Sequence, residues 1–583
     1  MLLTHSTIHS TTSADTGATA GDDTRTAAGA AAEATAAALL NCLIREVCAP
    51  EQQVWPDEAH LVARLPRVGV TLRAALARPP VGATYRLAPP YEERRDGEWI
   101  TARWDRLASL IAGELELATG RANPEFLGQV ADSHAALESI LTKRSAPAEP
   151  TDSGLTDSGP TENGPTENGP PENRYLDSEQ SLIAGHRFHP SPKARQGSPT
   201  DWLAYAPEAG ASFHPRWLAV RDDVLAQEGD PQAFAKLDEL GPPPPQGHTL
   251  LPAHPWQLRL LAERPMLRRA FAAGLIQDLG PAAPDAFPTS SVRTAYLPAA
   301  DVFCKFSLDV RITNCVRKNA WYELTGATVL NKLVGPVFDR LRTAASGGAT
   351  FLAEPAYRSV ALADQRLYEG LGVILRQGVG DLPGTPLLAA ALTDPYSAHL
   401  ATLPALETPD GAIAWWDAYV RHVAPPVLHA FFDHGIVLEP HLQNVLIAVD
   451  GDGMPVQAVF RDLEGTKLVD GRWDLSGLPA QVREAMTYDA DRGWNRVVYC
   501  LLVNHLTEVA AAVADLHPAV DRTLWQVARK HFGHDRPEMR ALLAGVPLPA
   551  KANLRARWAR SADRGATYVP TPNPLAQPAP DLN

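Results

Sequence analysis

Cysteine is scarce in this 583-residue chain: Cys42, Cys48, Cys304, Cys315 and Cys500 are all there are. Their number is odd, they are scattered, and no C-x-x-C pair occurs. A disulfide framework or a structural zinc site is therefore not expected, and a reducing cytoplasm is. The usual phosphate loops are missing too: neither G-x-x-x-x-G-K-[ST] nor G-x-G-x-x-G is present. G-x-S-x-G and H-E-x-x-H are absent, which removes the usual carriers of hydrolase and metalloprotease chemistry. The first 22 residues have neither a basic n-region nor an apolar h-region, and no apolar stretch reaches the roughly 18 residues of a membrane span. Basic charge is in deficit, with a net charge of -14, which argues against nucleic acid or an anionic membrane as partner.

What is present is an ordinary apolar share, 45%, in a chain long enough for two or more structural units. Strand and helix patterns mix, so the expected class is mixed α/β (α+β), mostly helical in its final third. Residues 1–30 are poor in large apolar side chains and are expected to be disordered. Helical patterning starts near Ala31 and continues at 104–117 and 124–141, with short strands near 83–87 and 99–101. Residues 145–173 repeat Thr-Asp-Ser-Gly and Pro-Thr-Glu-Asn-Gly and read as a flexible insert. The end after Tyr568 is Pro-rich. Later helices are expected at 480–486, 494–516, 519–532 and 537–543.

The most informative stretch is 439–465. Two apolar runs, 445–449 and 456–460, flank Asp450-Gly451-Asp452-Gly453, a hairpin signal. A hairpin brings its outer ends together, so His441, Gln443 and Asn444 should lie beside Asp462 and Glu464. Hard oxygen and amide donors gathered this way suit Mg²⁺ carrying a nucleotide phosphate. The segment 302–312 alternates apolar and polar residues and reads as one strand carrying Lys305. Thr313 or Asn314 then resembles an N-cap, with Arg317 in the first helical turn. The loop 185–197 concentrates His186, Arg187, His189, Lys193 and Arg195, an anion cradle or a solvated basic loop. Ser291, Arg293 and Thr294 offer hydroxyl and guanidinium donors for phosphate. In His254-Pro255-Trp256-Gln257 the proline sits where a helix would begin.

Taken in order, these motifs resemble the siderophore synthetases that work without a nonribosomal template, the aerobactin-synthetase-like IucA/IucC family. Residues 185–195 match its G-H-x-x-H-P-x-x-K-x-R, and 254–257 its H-P-W-Q. Ser291, Arg293 and Thr294 match S-x-R-T; Lys305, Thr313, Asn314 and Arg317 match K…I-T-N-x-x-R. His441, Gln443 and Asn444 match H-x-Q-N, and Asp462 with Glu464 matches R-D-x-E-G. Asn504, His505 and Lys551 resemble two C-terminal signatures. Glu439-Pro440 stands where many members carry Glu-Ala.

The resemblance implies a cupped hand: a helical thumb over 31–180, fingers over 181–390, a palm with a kinase-like hairpin and C-terminal helices over 391–560, and a tail over 561–583. It also implies ATP and Mg²⁺ as cofactors, and condensation of citrate or a citrate derivative with an amine or alcohol through an acyl-adenylate, in a homodimer. ATP would be held by His186, His189, Lys193, Ser291, Arg293, Thr294, Lys305, Gln443 and Asn444. The metal would fall to Asn444, Asp462 and Glu464. Thr313, Arg317, His441 and Lys551 would take substrate carboxylates, with Arg317, His441 and Lys305 at the chemistry. A kinase-like small-molecule phosphotransferase and a non-catalytic siderophore-binding protein are the competing readings.

Overall fold

Three packed cores follow one another along the chain in a computed structural model that describes residues 26–80, 84–146, 171–312, 315–342, 348–561 and 567–576. The first core begins with the helix Ala27–Leu43, which continues as a π-helical turn, Ile44–Cys48. Thr26 caps it by accepting the Gly29 N–H, and Leu39, Leu40, Leu43 and Ile44 are buried. The cap moves the helix start to Ala27, so residues 27–30 are helical rather than disordered. Residues 1–25, the repeats at 147–170 and the tail at 577–583 lie outside the described residues.

Helices Trp104–Thr119 and Phe126–Ser145 pack on this first helix. The remaining wall is a sheet rather than more helix. Val54–Asp57, His60–Leu65, Val70–Leu76, Leu87–Arg95 and Glu98–Thr101 form a five-stranded antiparallel sheet in chain order. The strand expected near 99–101 is its last member, Glu98–Thr101, whereas the span expected near 83–87 leads into the strand Leu87–Arg95 and the other three strands were not expected. Glu58 and Gly69 turn the chain with positive φ, 52° and 72°, while interleaved Arg and Glu hide the alternation of the strands.

The second core sits under a six-stranded sheet. Its order is Phe287–Pro288, Thr294–Leu297, Val302–Lys305, Val373–Gln377, Ala356–Val360 and Leu225–Gly229. The expected single strand 302–312 breaks after Lys305. The Ser307 hydroxyl donates to Glu369 O (2.6 Å) and accepts the Asn319 N–H (2.8 Å), which interrupts the ladder. Leu308–Ile312 then pairs antiparallel with Cys315–Arg317. Arg317 is thus on a strand and not in a helical first turn. The following helix, Trp321–Leu341, starts later, where Glu323 reaches back to the Ala320 N–H (2.9 Å). Thr313 and Asn314 lie outside the described residues.

The third core gathers the helix Pro409–His434, a four-stranded sheet and the C-terminal helices. The hairpin is present as Val445–Val449 and Pro455–Phe460, and Val445 pairs with Phe460 at the open end. Asp450 fixes the turn by accepting the Asp452 and Met454 N–H groups (3.0 and 2.9 Å). Helices Ala480–Met486 and Pro537–Leu543 have the expected bounds. At the start of the Pro-rich end, Tyr568–Thr571 pairs with Leu548–Lys551, and Lys551 lies opposite Tyr568.

Two helical spans, Ala27–Cys48 and Ala490–Leu516, are long and apolar enough to cross a membrane by length and composition, contrary to the sequence expectation. The second has 94% of its apolar window inside the protein. Its apolar surface is covered by the third core, in which a second π-helical stretch, Tyr499–Leu506, is embedded.

Candidate active site

The six-stranded sheet delivers Lys305 at the end of one strand, directly opposite Thr294 on its neighbour. The loop before Thr294 is tight. Thr289 N–H donates to Thr294 O (2.8 Å), Ser291 Oγ accepts the Thr294 N–H (3.2 Å), and Val292 is held at φ 68°. A β-branched residue in that region is strained, a condition that clusters at functional sites. The loop presents Ser290, Ser291 and Arg293 to a cleft. From the other side the hairpin ends supply Gln443 and Asn444, then Arg461, Asp462 and Glu464, closed by Arg461 N–H to Asn444 O (3.0 Å). Asp462 also has a positive φ, 74°, a conformation Asp tolerates.

Lys305 is the centre of this cleft. Its Nζ bonds Asp462 and lies 3.1 Å from Glu464 and 3.9 Å from Glu354. Arg293 meets Glu464 at 2.7 Å and also bonds Asn319. Arg376 reaches Glu354 (2.9 Å) and Asp462 (3.5 Å). Burial works to depress Lys305, but Asp462, Glu354 and Glu464 hold its pKa above the ordinary value. Burial works to raise Glu464, yet Lys305 and Arg293 leave it at about 2. Asp462, against the same burial, is kept well below the usual carboxylate range by Lys305 and Arg376. Five cations (Arg293, Lys305, Arg317, Arg376 and Arg461) line the cleft against two carboxylates, in a protein of net charge -14. The cavity volume is ≈ 100 Å³, below the roughly 300–1,000 Å³ of ordinary ligand pockets. Its own ion pairs fill it.

The cations and hydroxyls of this cleft are donors of the kind that phosphates take. Asp462, Glu464 and Asn444 are hard donors of the kind Mg²⁺ uses when phosphates complete its shell. Among the described residues there is no group of three or more His, Cys, Asp or Glu that could hold a metal by itself. Lys305 now bridges both carboxylates.

Ser291, Arg293, Thr294, Lys305, Arg317, Gln443, Asn444, Asp462 and Glu464 share this cleft. His189 and Lys193 do not line it. The basic loop folds inward: Lys193 pairs with Glu208 (2.8 Å) and Leu182 O (2.9 Å), Arg195 also bonds Glu208, and buried His189 accepts the Ser191 N–H (3.2 Å). The expected phosphate cradle is thus committed to a buried acid that sequence spacing could not reveal.

His186, His441 and Lys551 form a second cluster beside the cleft, where Asp462 and Lys551 both act on His441. Burial lowers His441 to about 4, with Glu439 opposing and Arg496 assisting. The His186 ring is solvent-exposed yet densely surrounded; that crowding and the charge of Arg45 lower it to about 4. His505 Nδ1–H donates to Pro440 O (2.7 Å), which leaves Nε2 to accept the Tyr419 O–H (2.6 Å). His505 therefore holds the turn that aims His441.

Sequence reasoning gave no role to Arg376, Glu354, Arg461 or Glu179. A lone Arg in the apolar run Val373–Gln377 was a usable signal, since charges are rarely buried without partners. Arg461 bonds fully buried Glu179, Ser290 Oγ (3.2 Å) and Gln443 O (2.8 Å), tying both rims of the cleft together.

Residues 174–394 match the profile of the IucA / IucC family, and residues 413–566 match that of the "Ferric iron reductase FhuF-like transporter" family. The IucA / IucC match takes in the segment that carries Lys305, Arg293 and Arg317. It is 29% identical over 441 residues to an L-2,3-diaminopropanoate–citrate ligase of Staphylococcus aureus, covering 69% of this chain and 75% of that protein. It is 31% identical over 366 residues to an N(2)-citryl-N(6)-acetyl-N(6)-hydroxylysine synthase of Vibrio mimicus, covering 58% and 61%. Among solved structures, ATP-bound aerobactin synthetase IucA from Klebsiella pneumoniae matches with a TM-score of 0.77 at 24% identity, over 94% of this chain and all of that one. That likeness establishes the shared mixed α/β fold. Residues 413–566 hold only Cys500, so this part lacks the thiolates an iron–sulfur cluster needs.

Proposed function

We propose that this protein is a cytoplasmic, ATP-dependent carboxylate–amine ligase of siderophore biosynthesis, of the IucA/IucC family. It activates citrate or a citrate derivative and joins it to an amine or alcohol. The observation that carries this reading is the cation-rich cleft around Lys305, assembled from the sheet, the Ser290–Thr294 loop and the hairpin of an otherwise acidic protein.

A carboxylate is a poor acyl donor because oxide would have to leave. In the proposed reaction its oxygen attacks the α-phosphorus of ATP; a C–O–P bond forms and pyrophosphate departs. The nucleophile's lone pair then attacks the acyl carbon, AMP leaves, and the nucleophile's proton is lost. Both polyanions must be brought together, which calls for separate cationic sets. Ser291, Arg293, Thr294 and Lys305 take the phosphates. Gln443 and Asn444 close on the nucleotide. Arg317, on its strand, offers a planar fork to a substrate carboxylate, with His441 and Lys551 on the neighbouring side. His441, neutral at pH 7, accepts or donates hydrogen bonds without adding charge. Mg²⁺, held by Asp462, Glu464 and Asn444, would neutralise phosphate charge. Lys305 then exchanges its carboxylates for phosphate oxygens, which opens the filled cleft.

The test is a carboxylate-by-amine screen with ATP and Mg²⁺, read by mass spectrometry and by ATP–pyrophosphate exchange. AMP, pyrophosphate and a condensed product are expected. Release of ADP would replace this reading with a phosphotransferase, and absence of exchange with any carboxylate would leave a binder. Light scattering tests the homodimer expected from the resemblance.

A further inference from the structure

Arg45 lies on the π-helical turn Ile44–Cys48 and is 6% exposed. Its Nε and Nη2 have no hydrogen-bond partner. The acids nearby are already engaged. Glu46 accepts the backbone N–H groups of Leu554 and Arg555 (3.0 and 2.9 Å). Glu508 accepts the Thr84 hydroxyl (2.9 Å) and faces Arg187 (3.4 Å) and Arg86 (3.8 Å). A buried guanidinium left this way is costly unless something pairs with it.

The surroundings point to what that is. The Phe188 ring lies under the guanidinium, 3.0 Å from its carbon to the ring centroid, so one flat face is covered and the donor edge remains. The second π-helical stretch, Tyr499–Leu506, supplies neighbours: Tyr499 lies within the field of Arg45, and Asn504 places its amide 2.8 Å from His186 Nε2. The Phe188 N–H donates to His186 Nδ1 (3.0 Å), which fixes the ring beside the guanidinium's aromatic cover. Exposed His186 opens this side to solvent and lies within the fields of Arg45, His441 and Lys551. π-helical turns, of which Arg45 and Asn504 each lie on one, recur at functional sites.

We propose that Arg45, with His186 beside it, is a carboxylate subsite that receives a carboxylate of a reactant. The chemistry is a planar anion on the edge of a buried guanidinium. The carboxylate comes either from the polycarboxylic acid or from an amino-acid-like nucleophile. This rests on the proposed function, and it places the selection of a carboxylate-bearing reactant on a helix that no motif marked.

The test is calorimetric titration of wild type and Arg45→Met, both loaded with α,β-methylene-ATP and Mg²⁺. The probes are citrate, L-2,3-diaminopropanoate, and 1,2-diaminoethane, which has the same two amines without the carboxylate. Arg45→Met should weaken one carboxylate probe about ten- to a hundredfold and leave 1,2-diaminoethane unchanged. Loss on citrate assigns the subsite to the acid; loss on L-2,3-diaminopropanoate alone assigns it to the nucleophile. The ligand-free variant should melt at or above the wild-type temperature, because an unpaired buried charge has been removed. Unchanged affinity for both carboxylates with a lowered melting temperature overturns the proposal and makes Arg45 a packing partner of Phe188. Wild type that binds neither carboxylate overturns it as well. If Arg45→Met does not fold, Arg45→Lys carries the test: it keeps the charge and loses the fork, so the same probe must weaken, by less. ATP–pyrophosphate exchange by wild type with citrate, alongside unchanged affinities in the variants, rejects the subsite alone and leaves the proposed function standing.

Discussion

Lys305 and Arg45 are both buried cations, and their neighbourhoods differ. Three carboxylates stand within 4 Å of Lys305. Arg45 has no ion-pair partner among the described residues, and the imidazole nearest its field is driven neutral. Lys305 has its counter-charges in place before any ligand arrives, although the cleft around it is cation-rich; Arg45 has none. A charge-matched lattice is rigid and pre-positioned, whereas an unmatched cation favours whatever anion enters.

Breaking the matched side should have the largest effect. Lys305→Met leaves Asp462, Glu464 and buried Glu354 facing one another without their counter-charge. We expect a loss of about 3 kcal/mol of stability and loss of ATP binding, measured by denaturant unfolding and nucleotide titration. Retained nucleotide affinity would remove Lys305 from the phosphate site.

Acid reaches buried histidines before it reaches the carboxylates of the cleft. His254 and His505 are buried with pKa values lowered by burial to about 3 and about 4. The unfolded chain binds protons at these groups below about pH 6.5 while the folded chain does not. Stability from them is complete above about 6.5 and falls as pH drops towards about 4, on the order of 3 kcal/mol per group at the limit. Glu464 stays ionised down to about 2, so the cleft should keep its ion pairs through the range in which these histidines destabilise the fold. Unfolding free energies between pH 7 and 4 check this; a flat profile would contradict it.

Arg317→Lys keeps a charge and loses the bidentate fork. The acid's KM should rise about tenfold and that of ATP less; equal rises would contradict the assignment of Arg317 to the acid. The smallest effect is expected at the rim. Lys318 pairs with Glu369 at 2.6 Å, but its side chain is 40% exposed, so Lys318→Ala should cost below about 1 kcal/mol in thermal unfolding.

Much of the matched cleft was legible in the sequence because its parts are local. The hairpin was written in Asp450-Gly451-Asp452-Gly453 and two apolar runs, and the meeting of Asn444 with Asp462 follows from hairpin geometry. Most of the N-terminal sheet was not legible beyond its last strand near 99–101, since Arg64, Arg73, Glu92 and Arg95 interrupt the alternation of the others. Nor was the break after Lys305, which depends on Ser307 finding Glu369 and Asn319 far along the chain. Lys193 and Arg195 read as an open cradle because nothing in their own stretch announces Glu208. Arg45 carries no signature at all: its state is set by Phe188, Glu508 and Tyr499, which only the tertiary fold assembles.

The carboxylate of Glu46 holds amides at Leu554 and Arg555, more than five hundred positions downstream. During synthesis this helix therefore waits for its partner until residues 554 and 555 have been translated. The neighbourhood of Arg45 can be completed only after that closing stitch, so a nascent or truncated chain ending before residue 554 carries the hairpin but not the finished enzyme.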